Sequence, residues 1–592
     1  MKDLRAIGLV LGLTWRSSRR LTVQMVALSL LSTVSSALLA VALKFLVDAA
    51  VLQEGRTAAV GAALAAVGLA SAVASMPLGG MVSLVLTERS SAAYDQHLVE
   101  LVSRIPTLEG SSSSRYSSTL HLLTEEDRFP STSAVPAVVA LAGTALMVLL
   151  TTAYLGSQRP LLALVPVAVV PLVWAGGRAN KIWSRAREAT APSQHLAGEL
   201  LRLATTPEAA KELRVFGSAD QVLERHAAAE RAVRTGLRRA IVISSALHVA
   251  IWTGFGLLYG VTVLAMARRA ASGAATAGDV VLVIVLTLAV VVLTQGASWP
   301  LFTLGRVAAA GERLRWLAQQ GRVPASAPSR PVPERLSVGI RLNGVEFTYP
   351  DAARPALSGV DVLLPAGSVV ALVGDNGAGK STLVSLLCGL RQPTAGAVLV
   401  DDVDLREIDP QTWRDRISAT FQDFVRYELL TREAVGLGDL SRLDDQQALD
   451  SAAMRGGAAD VLPNLPDGWD TQLGTRWANG RDLSGGQWQK LAVSRGLMRE
   501  APLLVVLDEP AAAMDPVAEH RLFEQFSNAA ARARSAGAVT VVVSHRFSTA
   551  RLADLVLVVD AGHLVEVGNH ASLMAAQGLY SQLYSLQATS YA

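Results

Sequence analysis

The stretch 374–382 reads GDNGAGKST and is the most informative motif of the chain. It matches the phosphate-binding pattern G-x-x-x-x-G-K-[ST]. The apolar run before it, 369–373 (VVALV), predicts a buried strand, and the run after it, 383–387 (LVSLL), predicts a helix. A loop between a strand and a helix start is the setting in which backbone N–H groups bind phosphate.

The residue types in this loop suit a nucleoside triphosphate. Its glycines allow a tight turn whose N–H groups point inward, Lys380 is expected to reach the β- and γ-phosphates, and the Ser381 hydroxyl is expected to ligate Mg²⁺. We therefore predict that ATP with Mg²⁺ is bound by the whole loop: Gly374, Asp375, Asn376, Gly377, Ala378, Gly379, Lys380, Ser381 and Thr382.

The composition places part of the chain in lipid. Of 592 residues, 51% are hydrophobic and only 17% are charged, which is too apolar for an ordinary soluble enzyme. A net charge of +3 gives no argument for binding nucleic acid, so we predict no such partner. The single cysteine, Cys388, excludes an intramolecular disulfide and a multi-cysteine zinc site, and its apolar setting predicts a core thiol.

Six apolar runs in the first half are long enough to cross a bilayer, which takes about 20 residues. We predict spanning helices at 21–47, 58–85, 132–155, 160–176, 240–267 and 279–304. Basic residues are frequent at the N-terminus and in the long segment 178–239, which places these parts in the cytoplasm. With the N-terminus inside, the long segment 88–130 falls on the cytoplasmic side as well. Arg268 and Arg269 go against this rule, because they fall in an outer loop.

The stretch 319–338 separates two domains. It includes GRVPASAPSRPVP, a composition typical of a linker. Residues 1–318 form the predicted transmembrane domain, with two long cytoplasmic loops. Residues 339–592 alternate short β-type and helical runs, as in a phosphate-loop α/β domain.

Two further strand ends in the second domain carry residues suited to ATP chemistry. The run 503–507 (LLVVL) ends in Asp508, a candidate Mg²⁺ ligand, and Glu509, a candidate general base for water. The run 541–543 (VVV) ends near His545. His545 is either a contact to the γ-phosphate or an ordinary strand-end histidine.

The stretch 483–487 reads LSGGQ and resembles the signature of ATP-binding cassette (ABC) proteins. With the phosphate loop, the Asp508–Glu509 pair and His545, the chain looks like a half-size bacterial ABC exporter. The resemblance implies an all-α six-helix transmembrane domain, followed by an α/β P-loop ATPase cassette with a helical subdomain. It also implies a multi-pass protein of the bacterial cell membrane, with the cassette and both termini in the cytoplasm.

The resemblance implies roles for further residues. Tyr349, in VEFTYP, resembles the aromatic that stacks on adenine, and Gln422, in FQDF, resembles the glutamine that links Mg²⁺ to the transport helices. Asp515, in AAMD, resembles part of the loop that crosses between cassettes. The implied catalytic set is Glu509, His545 and Gln422, and the implied metal set is Ser381, Gln422 and Asp508. Contacts to the ATP of a partner cassette are implied for the signature: Leu483, Ser484, Gly485, Gly486 and Gln487.

Cassettes of this family pair head to tail, which implies a second half-transporter. A homodimer is favoured because Glu509, His545 and LSGGQ are intact, and a heterodimer with this chain as the active subunit is the alternative. One departure is that no glutamate follows Gly474 before the signature, where exporters usually have one. The stretch 421–438 (FQDFVRYELLTREAVGLG) resembles exporters of lanthipeptides and other secondary metabolites.

Polar and aromatic residues within spans indicate where a cargo binds. His248 and Trp252 share a face of the fifth span, and Gln295 and Trp299 share a face of the sixth. Each pair either lines a central cavity or only packs helices. The spans favour apolar or amphipathic cargo, namely a peptide, a lipid or a drug-like metabolite. The alternatives to export are import by the same fold and a regulatory ATPase without transport.

A second polar pair lies in the first span. Lys44 and Asp48 are four residues apart, so they face the same side of a helix. This spacing predicts that the two side chains form an ion pair with each other.

Overall fold

The computed structural model describes residues 2–108, 113–158, 160, 169–321, 330–350, 352–510, 534, 537–544 and 550–591. The chain divides into two compact units. The first comprises Met1–Val102 and Ser118–Gln319, and the second comprises Ser103–Ser117 and Gln320–Ala592.

The first unit is built from helices, most of them long. The described helices are α1 (Lys2–Ser17), α2 (Arg19–Val51), α3 (Gly55–Ser103), α4 (Ser114–His121), a π-helical turn (Leu122–Glu126), α5 (Arg128–Thr132), α6 (Ala134–Gln158), α7 (Val169–Thr205), α8 (Pro207–Val215), α9 (Ala219–Ala271) and α10 (Ala277–Gln320).

Four of the described helices are long and apolar enough to cross a membrane: α2, α3, α6 and α9. They contain most or all of the predicted spans 21–47, 58–85, 132–155 and 240–267. The predicted span 160–176 lies largely outside the described residues. The predicted span 279–304 falls within α10, of which Ala277–Ala289 is apolar by the same measure. The count of six spans therefore stays a prediction.

Helices α2 and α3 pack through small residues, whereas their large apolar side chains face outward. A Cβ atom at Gly61 would lie 2.9 Å from the backbone nitrogen of Leu46, so the two backbones approach closely. The hydroxyls of Ser35 and Ser71 are hydrogen-bonded at 2.9 Å, while Leu38 on α2 is 58% exposed. Small residues inside and large apolar residues outside are typical of helices surrounded by lipid.

The predicted Lys44–Asp48 ion pair is wrong: among the described residues, Lys44 pairs with Asp279 on α10. The Tyr154 hydroxyl also donates to Asp279, at 3.2 Å. Asp48 instead accepts the Gly278 N–H at 2.7 Å and the Thr276 hydroxyl at 2.9 Å. The N-terminus of α10 offers free N–H groups and a positive dipole end, which attract the carboxylate of Asp48. Lys44 therefore pairs with Asp279 and not with Asp48.

Within its described residues, the second unit contains two sheets. The strands are β1 (Gly339–Phe347), β2 (Leu357–Pro365), β3 (Val369–Val373), β4 (Ala395–Val400), β5 (Val403–Asp404), β6 (Ile417–Thr420), β7 (Leu504–Asp508), β8 (Val539–Val543), β9 (Leu555–Asp560) and β10 (His563–Gly568). A four-stranded antiparallel sheet has the order β2-β1-β4-β5, and a six-stranded sheet has the order β10-β9-β3-β8-β7-β6. In the six-stranded sheet only β10 pairs antiparallel.

The helices of the second unit, within the described residues, surround these sheets or form a separate group. They are α11 (Lys380–Leu387), α12 (Pro410–Arg414), α13 (Thr431–Gly436), α14 (Gln446–Gly456), α15 (Gly485–Gly496), α16 (His570–Ala576) and α17 (Leu579–Tyr591), with short 3₁₀ turns between them. Helices α13, α14 and α15 share their own apolar core around Leu449, Trp488 and Leu491. The predicted α/β cassette with a helical subdomain is confirmed.

The order of the large sheet determines where its strand ends meet. Strand β3 lies between β8 and β9, and β7 lies beside β8. Because these strands are parallel, their carboxyl ends share one edge of the sheet, the usual place for a ligand. Cys388 follows α11 and is 3% exposed; burial raises the pKa of its thiol to about 12, as expected for a core thiol.

Candidate nucleotide site

The loop 374–379 has a shape that only glycine permits at two positions. Gly374 has a φ of 149° and Gly379 a φ of 108°. A Cβ atom at Gly374 would lie 2.0 Å from the carbonyl oxygen of Val559, and one at Gly379 would lie 2.7 Å from that of Ala356. The loop leads from β3 directly into α11, as the sequence predicted, so the N-terminus of α11 faces the space that the loop encloses.

Lys380 lies inside the loop with its ammonium group bonded to the loop itself. Its Nζ donates to the carbonyl oxygens of Gly374 and Asp375, each at 2.8 Å, and the residue is 7% exposed. Burial lowers the pKa of Lys380, while Glu509 and Asp508 act in the opposite direction. A buried cation held at two carbonyls can transfer its hydrogen bonds to phosphate oxygens at little cost in solvation.

Asp508 ends β7 beside the loop and is 5% exposed. Burial and the neighbouring Glu509 raise the pKa of Asp508 to about 6, against the effect of Lys380 and of a hydrogen bond with Ser381. A hydroxyl and a carboxylate, with phosphate oxygens and water, form the oxygen-only ligand set that Mg²⁺ prefers. Ser381 and Asp508 fit this ion.

Glu509 has an unusual backbone conformation, with a φ of 47°. Its carboxylate accepts a hydrogen bond from Gln422 Nε2 at 2.7 Å. Its carbonyl oxygen accepts one from Gln489 Nε2 at 3.2 Å, and its N–H donates to Val543 at 3.0 Å. A left-handed conformation costs a non-glycine residue about 1–2 kcal/mol, so these three bonds fix a strained but defined position for the carboxylate.

Sequence reasoning missed Gln489, which lies on α15 and is 4% exposed. The available signal was its place two residues after the LSGGQ motif. A buried amide must find a partner, and here the partner is the backbone of Glu509.

One cavity of about 330 Å³ brings the predicted ATP residues together. Its lining includes Tyr349, Asn376, Gly377, Gly379, Lys380, Ser381, Thr382, Gln422, Asp508 and Glu509. The Tyr349 hydroxyl is hydrogen-bonded to Thr382 at 3.1 Å, which places the aromatic ring beside the loop. The cavity is therefore lined by an aromatic ring, a phosphate loop and two carboxylates.

The signature forms the beginning of α15. The Ser484 hydroxyl accepts the Gln487 N–H at 3.3 Å, and the Gln487 side chain accepts the Ser484 N–H at 2.9 Å, which is a capping box. The N–H groups of Gly485 and Gly486 lie in the first turn. Among the described residues that line the 330 Å³ cavity, none belongs to the signature.

Other predicted residues lie elsewhere or outside the described part. His545 and Asp515 lie outside the described residues, and so does the side chain of Gln295. His248 Nδ1 is bonded to the Ser244 carbonyl of its own helix at 2.9 Å. Trp252 packs edge-on against Phe255, with ring centroids 6.0 Å apart.

Trp299, the fourth residue proposed for a cargo cavity, is 46% exposed. Trp252 also packs against the cluster that contains Met147 and Leu282. Helix packing thus accounts for the position of Trp252, and cargo binding by any of these residues stays a prediction.

Known proteins resemble this chain in its second unit and in its overall fold. Residues 357–512 match the ABC transporter family model. The chain is 35% identical over 254 residues to the subtilin transport ATP-binding protein SpaT of Bacillus subtilis, covering 43% of this chain and 40% of that protein. It is 39% identical over 256 residues to the ATP-dependent lipid A-core flippase of Chromohalobacter salexigens, covering 43% and 42%.

The nisin transport ATP-binding protein NisT of Lactococcus lactis is 36% identical over 245 residues, covering 41% of this chain and 40% of that protein. The chain thus aligns with about two-fifths of the length of these relatives. A solved bacterial Atm1-family ABC exporter with ATP bound matches 96% of this chain and 98% of its own, with a TM-score of 0.78 and 24% identity. Residues 357–512 therefore match the ABC transporter family model, and the chain as a whole shares the fold of that solved exporter.

Proposed function

We propose that this chain is one half of an ATP-driven exporter in a bacterial cell membrane. The observation that carries the proposal is the cavity that gathers Tyr349, Lys380, Ser381, Asp508 and Glu509 at the edge of a parallel sheet. Among the described helices of the same chain, four are long and apolar enough to cross a membrane. An ATP site joined to apolar helices fits a pump. In this proposal the cassette and both termini are cytoplasmic.

In this proposal the residues of the cavity have different roles in ATP hydrolysis. Lys380 and the loop N–H groups would hold the β- and γ-phosphates. Ser381, Asp508 and Gln422 would hold Mg²⁺, which would supply positive charge to the transferring phosphoryl group. Water attacks the γ-phosphorus, the bond to the ADP oxygen breaks, and Glu509 accepts the proton of the attacking water.

Gln422 contacts the residue that we propose as the base. In this structure the Gln422 amide donates to the Glu509 carboxylate at 2.7 Å. This hydrogen bond occupies Oε2 of Glu509, so that oxygen is not open to the attacking water. We infer that Gln422 must release Glu509 before hydrolysis, and that this release accompanies nucleotide binding.

A complete site requires a second cassette. The signature residues Ser484, Gly485 and Gly486 begin a helix, where N–H groups attract phosphate, but they do not line the cavity of their own chain among the described residues. The signature of a second half-transporter would close on the γ-phosphate. A homodimer is favoured because Glu509 and LSGGQ are both present, and a heterodimer is the alternative.

The cargo we propose is amphipathic, namely a peptide or a lipid. The described spanning helices α2, α3, α6 and α9 are strongly apolar. None of the described residues forms a group of three or more acidic, histidine or cysteine side chains that could hold a metal ion. Two relatives are named for transport of the peptides subtilin and nisin, and one is named a lipid A-core flippase. These names support the two chemical classes without choosing between them.

Transport in oriented membrane vesicles tests the proposal. The probes are a fluorescent amphipathic peptide and a fluorescent phospholipid, with Glu509→Gln as the inactive control. If the protein is an exporter, Mg·ATP should drive one probe into inside-out vesicles that contain the wild-type protein. Vesicles that contain Glu509→Gln should take up neither probe. Uptake by right-side-out vesicles loaded with ATP would instead establish import. ATP hydrolysis without movement of either probe would favour a regulatory ATPase.

A further inference from the structure

We infer that Arg391 is a positioning residue for nucleotide binding, because it holds the ring of Tyr349 in the orientation that stacks on the nucleobase. The inference rests on the proposed function, since it assigns a role within the same ATP site. Nothing in the sequence pattern pointed to Arg391, which follows α11 in the turn 388–392.

The guanidinium of Arg391 lies over two aromatic rings. Its central carbon is 4.7 Å from the ring centroid of Tyr349 and 5.6 Å from that of Phe347. The two rings meet edge to face, with centroids 5.0 Å apart and planes at 85°. Phe347 is 1% exposed, so it is a fixed support, and Arg391 and Phe347 together restrict the rotation of the Tyr349 ring.

A third contact holds the other end of Tyr349. Its hydroxyl is hydrogen-bonded to Thr382 at 3.1 Å, and Thr382 is buried in the first turn of α11. Arg391 is itself bound to the same helix, because its N–H donates to the Ser385 carbonyl at 3.3 Å. The hydroxyl of Tyr349 is therefore held by Thr382, and its ring is held by Arg391. Thr382 belongs to the helix that begins at Lys380 and Arg391 is bound to that helix, which fixes the distance from the ring to the phosphate loop.

This arrangement prepares the base-binding end of the cavity before ATP arrives. A tyrosine free to rotate would lose side-chain entropy when the base stacks on it, and that loss would weaken binding. A cation–π contact corresponds to about 2- to 30-fold in an equilibrium constant. We expect Arg391→Ala to weaken nucleotide binding by about 3- to 10-fold, because Phe347 and Thr382 retain part of the restraint.

The test compares a ligand that has a base with one that lacks it. Binding of the non-hydrolysable ATP analogue AMP-PNP and of inorganic tripolyphosphate, each with Mg²⁺, is measured by calorimetry on the full chain in lipid nanodiscs. The variants are R391A, R391K, Y349A and the R391A/Y349A double variant. R406A is the matched control, because Arg406 pairs with Asp404.

The inference predicts that R391A raises the Kd for AMP-PNP about 3- to 10-fold and leaves the Kd for tripolyphosphate unchanged. R391K should be intermediate, and R406A should bind like the wild type. In the Y349A background, R391A should have no further effect, since there is no ring left to orient.

Three results would overturn the inference: unchanged or tighter AMP-PNP binding by R391A, an equal loss of affinity for tripolyphosphate, or effects of R391A and Y349A that simply add. Failure of the proposed function would look different. In that case the wild-type protein would bind neither AMP-PNP nor tripolyphosphate, whatever residue stands at 391.

Discussion

Replacing Asp508 by asparagine is expected to stabilise the nucleotide-free protein, although Asp508 is assigned to the Mg²⁺ site. Burial raises the pKa of this carboxyl to about 6, against 3.8 for an ordinary aspartate. A difference of roughly two units corresponds to about 3 kcal/mol at 1.36 kcal/mol per unit. Allowing for partial screening by solvent, we take about 2 kcal/mol as the cost of the ionised group.

The effect has a defined dependence on pH. Above pH 6 the Asp508 carboxylate is charged in both the folded and the unfolded state, and the folded state bears the full cost of burying that charge. Replacement by asparagine therefore raises the free energy of unfolding most in this range. As the pH falls from 6 toward 3.8, the folded protein binds a proton that the unfolded chain does not. The wild-type protein therefore gains stability in this window, and the advantage of asparagine shrinks.

Thermal unfolding of the nucleotide-free chain in detergent is the assay. About 2 kcal/mol corresponds to a rise of about 4–8 °C in Tm for a domain of 150–250 residues. We expect this rise for Asp508→Asn at pH 8 and less than half of it at pH 4.5. The variant should also lose the Mg²⁺ dependence of ATP binding.

A second aspartate, Asp401, provides a control in which replacement by asparagine should change the Tm in the opposite direction. Burial opposes the charge of Asp401, but hydrogen bonds from Gly339, Ser337 and Val338 outweigh it and lower the pKa of Asp401. Asp401→Asn should therefore lower the Tm at pH 8. If Asp508→Asn were also destabilising at pH 8, or its effect were the same at both pH values, the buried-charge account of this site would be refuted.

Two further predictions concern lysines. Lys380→Ala should weaken ATP binding by at least tenfold in a nucleotide titration, since the β- and γ-phosphate contact is lost. Lys490→Ala, the control, should bind ATP normally. Equal affinity in both variants would contradict the assignment of Lys380 to the phosphates. Lys44→Met should lower the Tm by several degrees because it leaves Asp279 without its cation. Adding Asp279→Asn to this variant should restore part of the lost Tm. If Asp48→Asn restored it instead, the Lys44–Asp48 pair predicted from the sequence would be favoured.

The cassette could be predicted from the sequence because its signals are local. The residues of a strand, a glycine loop and a helix start are contiguous around Lys380, and their periodicity and glycine spacing are visible without knowledge of the fold. The strand that ends in Asp508 is also contiguous. Parallel strands share one edge, so the sequence also implied that Lys380, Ser381, Asp508 and Glu509 would be neighbours.

Contacts between distant segments could not be predicted in this way. Lys44 and Asp279 are separated by 235 positions, whereas helical spacing reveals only the neighbour four residues away. The choice between Asp48 and Asp279 depends on where α10 begins, because its free N–H groups bind Asp48. That competition exists only after the helices have packed.

Two polar residues near the site were missed for a related reason. Gln489 and Arg391 look like solvent-exposed residues of a helix and a turn when only the sequence is known. Their roles depend on tertiary neighbours, namely the backbone of Glu509 and the ring of Tyr349. Gln489 at least follows a recognisable motif, whereas no local pattern distinguishes Arg391 from other arginines of the cassette.

The most direct test of the central claim is the Mg·ATP hydrolysis rate of the purified chain in lipid nanodiscs, with Glu509→Gln beside the wild type. Glu500→Gln is the matched control, since that side chain is 66% exposed and pairs with Arg442. We predict that the wild type and Glu500→Gln hydrolyse ATP at similar rates, and that Glu509→Gln binds ATP but turns it over at least a hundredfold more slowly. Near wild-type turnover by Glu509→Gln would contradict the account.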